Sequence, residues 1–96
     1  MRFEWDPEKE RLNRTRHGLD FSWAALIFAD PKRAILYDRF EGGEDRWHAI
    51  GAVAGGLRVL LAVHAYPDEA DLDRVRVISL RKATSLERHR YYAEDA

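Results

Sequence analysis

The sequence contains no cysteine, so it can build neither a disulfide framework nor a thiolate metal site. It has no apolar run near the roughly 18 residues of a membrane span and no charged-then-apolar leader, so a soluble, cytoplasmic protein with no membrane partner is expected. Neither G-x-G-x-x-G nor G-x-x-x-x-G-K-[ST] occurs, which removes support for a nucleotide cofactor. With G-x-S-x-G also missing, covalent acyl chemistry has no nucleophile motif. No H-x-H or H-E-x-x-H spacing is found, so the expected metal complement is none and the expected cofactor complement is none. Charge of one sign is lacking too. Sixteen Lys and Arg face seventeen Asp and Glu, for a net charge of -1, which argues against a simple basic coat for nucleic acid.

What remains describes one globular domain over residues 1–96 with a single modest core. Hydrophobic residues make up 46%, with three Trp, four Tyr and four Phe, too many for a disordered chain. The charges are unevenly spread. Residues 41–73 carry seven carboxylates against Arg46 and Arg58, whereas residues 74–90 carry six Lys or Arg against Glu87. A locally basic face on a near-neutral protein is therefore open.

Helix and turn punctuation is strong. "RFEW" is a short strand or extended lead-in. Asp6-Pro7 reads as an N-cap followed by proline at the first helical position, and Gly18 as a left-handed stop, for a helix over about 7–16. Its only large apolar residue is Leu12, so its polar face is free to touch something other than the protein's own core, with Trp5 before it and Phe21 after it as anchors. Asp20 caps a second helix, "FSWAALIFA", in which Trp23, Leu26 and Ile27 form the core stripe, and Asp30-Pro31 ends it. Strands follow at 33–39, 46–54, 57–66 and 74–81. They are separated by "EGGED", by Gly55-Gly56 and by an acidic loop. Thr84 with Glu87 forms a capping box for a last helix over about 85–93. The fold class is α+β: two N-terminal helices, an antiparallel sheet of about four strands and a short C-terminal helix. The helices would pack on one sheet face, leaving the other partly open.

Four groups could carry chemistry. Lys9, Asn13 and His17 recur every four residues and stack on one side of the first helix, a cation, an amide and an imidazole that could grip phosphate and move protons. Spacing alone suits a solvated stripe ending in a helix-terminal histidine better. Arg74, Arg76, Arg81 and Lys82 could bind phosphate or could protect an edge strand with charge. Arg46, His48, His64 and Tyr66 would cluster if the even-numbered faces of neighbouring strands coincide, and otherwise are ordinary cross-strand pairs. At the end, Arg88, His89, Arg90, Tyr91 and Tyr92 mix bases with aromatics, as RNA recognition does, although for at least one tyrosine a place tucked under the sheet fits better.

"FEWDPEK", Asn13, "RHG" at 16–18 and Phe21 resemble the opening of BrnT-type toxins, which reads like F-x-W-D-x-x-K, N-x-x-K-H-G and F. Arg46, "IG" at 50–51, "RVLLAV" and "RVISLRKATSLERHRY" are similar to the second half of that family, and the resemblance spans nearly the whole chain in order. Arg16 stands where the family often has lysine, Leu80 replaces a small residue before Arg81, and the "DEADLD" loop is longer than typical. The resemblance implies the toxin half of a type II toxin–antitoxin pair with a RelE-like ribonuclease fold. Such a toxin cuts RNA without metal and so inhibits translation. Its partner would be a BrnA-like antitoxin with a ribbon-helix-helix DNA-binding part, so DNA is met only through the antitoxin. The resemblance points to Lys9 and His17 for proton handling or phosphate contact, Arg46 and Arg81 as phosphate clamps and Tyr91 as a stacking or orienting group. Asn13, Arg76, Lys82 and Arg88 would bind RNA. The alternative is a catalytically silent module that acts with an antitoxin-like partner in promoter repression. A direct DNA-binding repressor lacks a recognition helix.

Overall fold

The computed structural model describes residues 1–94. Strand β1 spans Arg2–Glu4, helix α1 Pro7–His17, a 3-10 turn Phe21–Trp23 and helix α2 Ala24–Ala29. Strands β2 (Ala34–Glu41), β3 (Glu44–Val53), β4 (Arg58–Ala65) and β5 (Arg74–Lys82) follow, and helix α3 (Ser85–Glu94) ends the described chain. Among the described residues no helix is long and apolar enough to cross a membrane.

The local signals act as read. The Asp6 carboxylate accepts the Glu8 N–H at 2.9 Å, and Gly18 closes α1 at φ 70°. Thr84 Oγ1 accepts the Glu87 N–H while the Glu87 carboxylate accepts the Thr84 N–H, so the capping box closes in both directions.

Three expectations need correction. The sheet has five strands and is mixed, in the order β1-β5-β4-β3-β2, with β1 parallel to β5 through Arg2–Arg74, Phe3–Val75 and Glu4–Arg76. A three-residue strand has too little periodicity to announce its partner. The second helix is split: Phe21–Trp23 winds as a 3-10 turn, which rotates the stripe, so Phe21, Ala24, Ile27 and Phe28 are buried while Leu26 stays half exposed. Finally, apolar clusters lie on both sheet faces. On one, Phe21 of the 3-10 turn and Ala24, Ile27 and Phe28 of α2 pack against Ala49, Leu60, Ala62, Val77 and Leu80. On the other, Tyr91 of α3 packs with Ala34, Ile50, Val59, Leu61 and Ala83. Neighbouring residues such as Ala49 and Ile50, or Leu60 and Leu61, divide between the faces by the period of two. Gly51 lets α2 approach β3, since a Cβ there would stand 2.9 Å from the Ile27 carbonyl oxygen.

Helix α1 is held by a polar device. Strand β1 pairs only with residues 74–76, so the rest of β5 is an edge. There the Asn13 side chain donates to the Leu80 carbonyl at 2.8 Å and accepts the Leu80 N–H at 3.0 Å. One amide thus replaces the two hydrogen bonds of a missing strand neighbour and covers the edge. Asn13 also donates to the Leu19 carbonyl at 3.1 Å, which fixes the turn after the helix.

His64 is fully buried on the α2 face, its ring centroid 5.1 Å from those of Phe28 and of Tyr66. Burial, with a smaller contribution from His48, pushes its pKa down from 6.5 to about 4. The unfolded chain therefore takes up this proton first as pH falls. Stability is full above pH 6.5 and is lost between 6.5 and 4, by roughly 2 kcal/mol between pH 7 and pH 5 at ~1.36 kcal/mol per unit. Denaturant titrations at the two pH values should show that loss in the wild type and a clearly smaller one in His64→Phe. Equal losses in both proteins would reject the assignment.

Candidate active site

On the α3 face, the sequence places polar groups where the sheet is irregular. Gly42 and Gly43, with φ of 64° and 80°, form a two-residue hairpin turn between β2 and β3. Tyr37 pairs with Trp47 but Arg39 pairs with Arg46, so Asp38 is an extra residue in β2, a β-bulge. The bulge turns Asp38 toward β3: its Oδ2 lies 3.3 Å from His48 Nε2 and 3.3 Å from Arg39 Nε. That Oδ2 is buried and, despite these approaches, completes no hydrogen bond.

Arg46 stands two residues from His48 on the same face. Its Nη1 donates to Glu41 at 2.6 Å, while its buried Nε has no hydrogen-bond partner. Arg81 faces the same side from β5, paired with Leu61 of β4. One strand lies between β3 and β5, a separation of roughly 10 Å that an arginine can span. Glu87 of α3 holds the Arg81 guanidinium in a fork, at 2.7 and 2.9 Å. That hydrogen bonding, more than any other cause, draws the Glu87 pKa down to about 2 and raises that of Arg81, to which the Asp38 charge also contributes. The result is a half-buried shelf carrying one imidazole, a carboxylate against it and two oriented guanidinium groups. Imidazole with an orienting carboxylate can exchange protons near neutrality, and guanidinium groups stabilise charge on phosphate.

Other expected residues are placed differently. Asn13 is buried with its amide committed to Leu80 and Leu19, so Lys9 and His17 are the exposed members of that stripe. Through Asn13 they lie along the helix that covers the β5 segment leading into Arg81. The Tyr91 ring is buried, and its hydroxyl donates to Asp30 Oδ2 at 2.5 Å. Asp30 also accepts the Ala52 N–H, so Tyr91 pins α3 to the sheet. Arg74 and Arg76 are tied to Glu4 and Glu44. Arg46 and His48 do not meet His64 and Tyr66. His48 pairs with Val63, and His64 with Trp47, so odd positions oppose even ones and the four residues split between the faces. Leu80 is buried on the α2 face, away from Arg81, so its bulk does not crowd that guanidinium.

Lys82 and Arg88 do come together. With Gly56, Leu57, Arg58, Val59, Ala83 and Tyr92 they line a cleft of about 360 Å³ at the sheet end where β4 begins and β5 ends. Asp38 was missed by sequence reasoning. Its only signal was a lone carboxylate inside the largely apolar run "AILYD".

A family model described as "Ribonuclease toxin, BrnT, of type II toxin-antitoxin system" matches residues 5–87, a stretch that includes every residue of the shelf. No curated protein matches.

Proposed function

Since the chain belongs to the BrnT family of type II toxin–antitoxin ribonuclease toxins, we propose that it cuts RNA at the Asp38–His48 shelf, without a metal ion, in the cytoplasm, and that it thereby inhibits translation. Membership implies an antitoxin partner. That partner would be BrnA-like, with a ribbon-helix-helix part that carries the only contact with DNA, and the fold would be RelE-like.

The observation that carries the reading is His48 held against Asp38 on the face that also bears Arg46 and Arg81. With Asp38 against Nε2, Nδ1 is the nitrogen left to take the 2′-hydroxyl proton. The 2′-oxygen then bonds to the adjacent phosphorus, the bond to the 5′-oxygen breaks, and that oxygen takes a proton from solvent water, so that a 2′,3′-cyclic phosphate and a 5′-hydroxyl result. Arg46 and Arg81 balance the charge that gathers on the non-bridging oxygens. Asp38, 3.3 Å from Nε2, orients the ring. Lys9 and His17, exposed on α1, supply further contacts to the RNA backbone.

Purified protein incubated with a defined RNA in EDTA, alongside a translation reaction carrying the same message, tests this. Cleavage that resists chelation and leaves 2′,3′-cyclic ends in either reaction is the expected result. Cleavage that EDTA stops and magnesium restores would overturn metal independence. No cleavage in both reactions, with the antitoxin still bound, would replace the enzyme by a binding module.

A further inference from the structure

We infer that the cleft that Lys82, Arg88 and Tyr92 line is a second RNA subsite, holding the phosphate and the base of a nucleotide that flanks the cut. This rests on the ribonuclease reading. Three observations carry it.

The first is charge that is not already spent. Arg2, Arg11, Arg39, Arg46, Arg74, Arg76 and Arg81 each pair with a carboxylate. Among the described residues Lys82 and Arg88 form no ion pair with a carboxylate, as is true of Lys9, Arg14, Arg16, Arg33 and Arg90 elsewhere on the surface. Arg58 opposes Val53 and turns to the α2 face, 5.6 Å over the Trp23 ring, while Arg88 donates to Ser85 Oγ at 3.2 Å. Among the described residues no Asp or Glu lines the cleft. The larger cleft, of about 550 Å³, is lined by Glu44, Asp45 and Glu69 beside Arg76, a rim that repels phosphate.

The second is an aromatic in the right state. Tyr92 is half exposed at the cleft, its ring steadied edge-on by Tyr91 at 5.0 Å. A fixed, open ring beside cations suits one stacked base and its phosphate.

The third is position. His48 pairs with Val63, and the cleft begins at Val59, four residues back along β4, or roughly 13 Å. Arg81 pairs with Leu61, midway between them. Tyr91 of α3 covers Ile50, Val59 and Leu61 between the two, so RNA joining the shelf to the cleft would run around α3 on the β5 side, a path longer than a dinucleotide covers. Arg88 and Tyr92 stand on α3, which the sequence builds from its Thr84–Glu87 cap onward.

The probe is a labelled 12-nucleotide single-stranded RNA with 2′-O-methyl groups, which has no attacking hydroxyl and so reports binding whether or not the protein cuts. It is titrated into wild type, Lys82→Ala/Arg88→Ala and Tyr92→Ala at several salt concentrations, with circular dichroism confirming the fold. Removing both contacts to that one phosphate should reduce the slope of log K against log salt by about 0.7 and weaken binding about fivefold near 0.1 M salt. Tyr92→Ala should weaken binding about fivefold or more with the slope unchanged. In cleavage assays KM for a long RNA should rise, while kcat/KM for a dinucleoside monophosphate stays at the wild-type value. Unchanged slope and affinity, or no binding by the wild type, would overturn the subsite. So would variants that bind RNA normally but lose the antitoxin, because the cleft would then dock protein. Cleft-dependent binding by a protein that never cleaves would leave the subsite standing and remove the enzyme.

Discussion

His48→Ala is expected to lower RNA cleavage by roughly 10²- to 10⁴-fold, the usual contribution of a positioned acid–base group. Asp38→Asn should cost less, on the order of 10- to 100-fold, because it acts on the proton only through the imidazole. The half-buried position of His48 against Asp38 and beside the apolar Val63 pair makes the loss one of chemistry, so kcat should fall while KM for a long RNA changes little. His17→Ala is the informative companion. His17 ends α1 in solvent, so its variant should keep most of the activity. Growth arrest on expression without the antitoxin gives the same ranking: abolished by His48→Ala, retained by His17→Ala. The reverse ranking, in folded and soluble proteins, would move proton transfer to the α1 stripe and reduce the shelf to a binding surface.

Asn13→Ala should unfold the protein more readily than loss of any exposed residue of α1. The side chain makes three hydrogen bonds to backbone, at 2.8, 3.0 and 3.1 Å, and its removal leaves Leu80 and Leu19 groups without partners. At about 1–3 kcal/mol for stranding a buried polar group, and with partial rehydration of the β5 edge, a cost of roughly 2–4 kcal/mol is expected. For a domain of this size that is a fall in Tm of about 10–20 °C. Asn13→Asp separates the hydrogen bonds from mere packing. It keeps the acceptor for the Leu80 N–H but sets a carboxylate against two carbonyl oxygens, so at pH 7 it should be no better than alanine. Protonation at acid pH supplies a donor again, and Asn13→Asp should then gain on Asn13→Ala. A thermal scan in which Asn13→Ala melts within 2 °C of the wild type would refute the edge-covering role.

These two residues show how differently the molecule could be read in advance. In line with Lys9 and His17, Asn13 reads as an RNA contact, yet its amide is committed to Leu80 and Leu19 and the stripe divides in the structure. An amide in the middle of a helix points to solvent or to a strand edge with the same spacing, and only the arrival of β5 decides which. His48 was grouped with Arg46 correctly and with His64 and Tyr66 incorrectly. The pairing of His48 with Val63 is a register, and a shift of one residue exchanges the faces. Arg81 was expected as a phosphate clamp, and Glu87 was recognised as a helix cap. That the same carboxylate orients that arginine depends on where α3 lands.

The sequence by itself determined what depends on a few neighbouring residues. Asp6-Pro7, Gly18, Asp20 and the Thr84–Glu87 box set where helices start and stop, because caps are made within three or four residues. Gly42-Gly43 set the hairpin because both positions need positive φ. The tertiary structure alone decided the parallel placement of β1, the bulge at Asp38, the split of the even-numbered polar residues between two faces, and the burial of Tyr91 beneath α3. Each of these joins segments distant in the chain, where the balance is struck by packing on the opposite sheet faces and by backbone hydrogen bonds at an edge. No local pattern of residues encodes that balance.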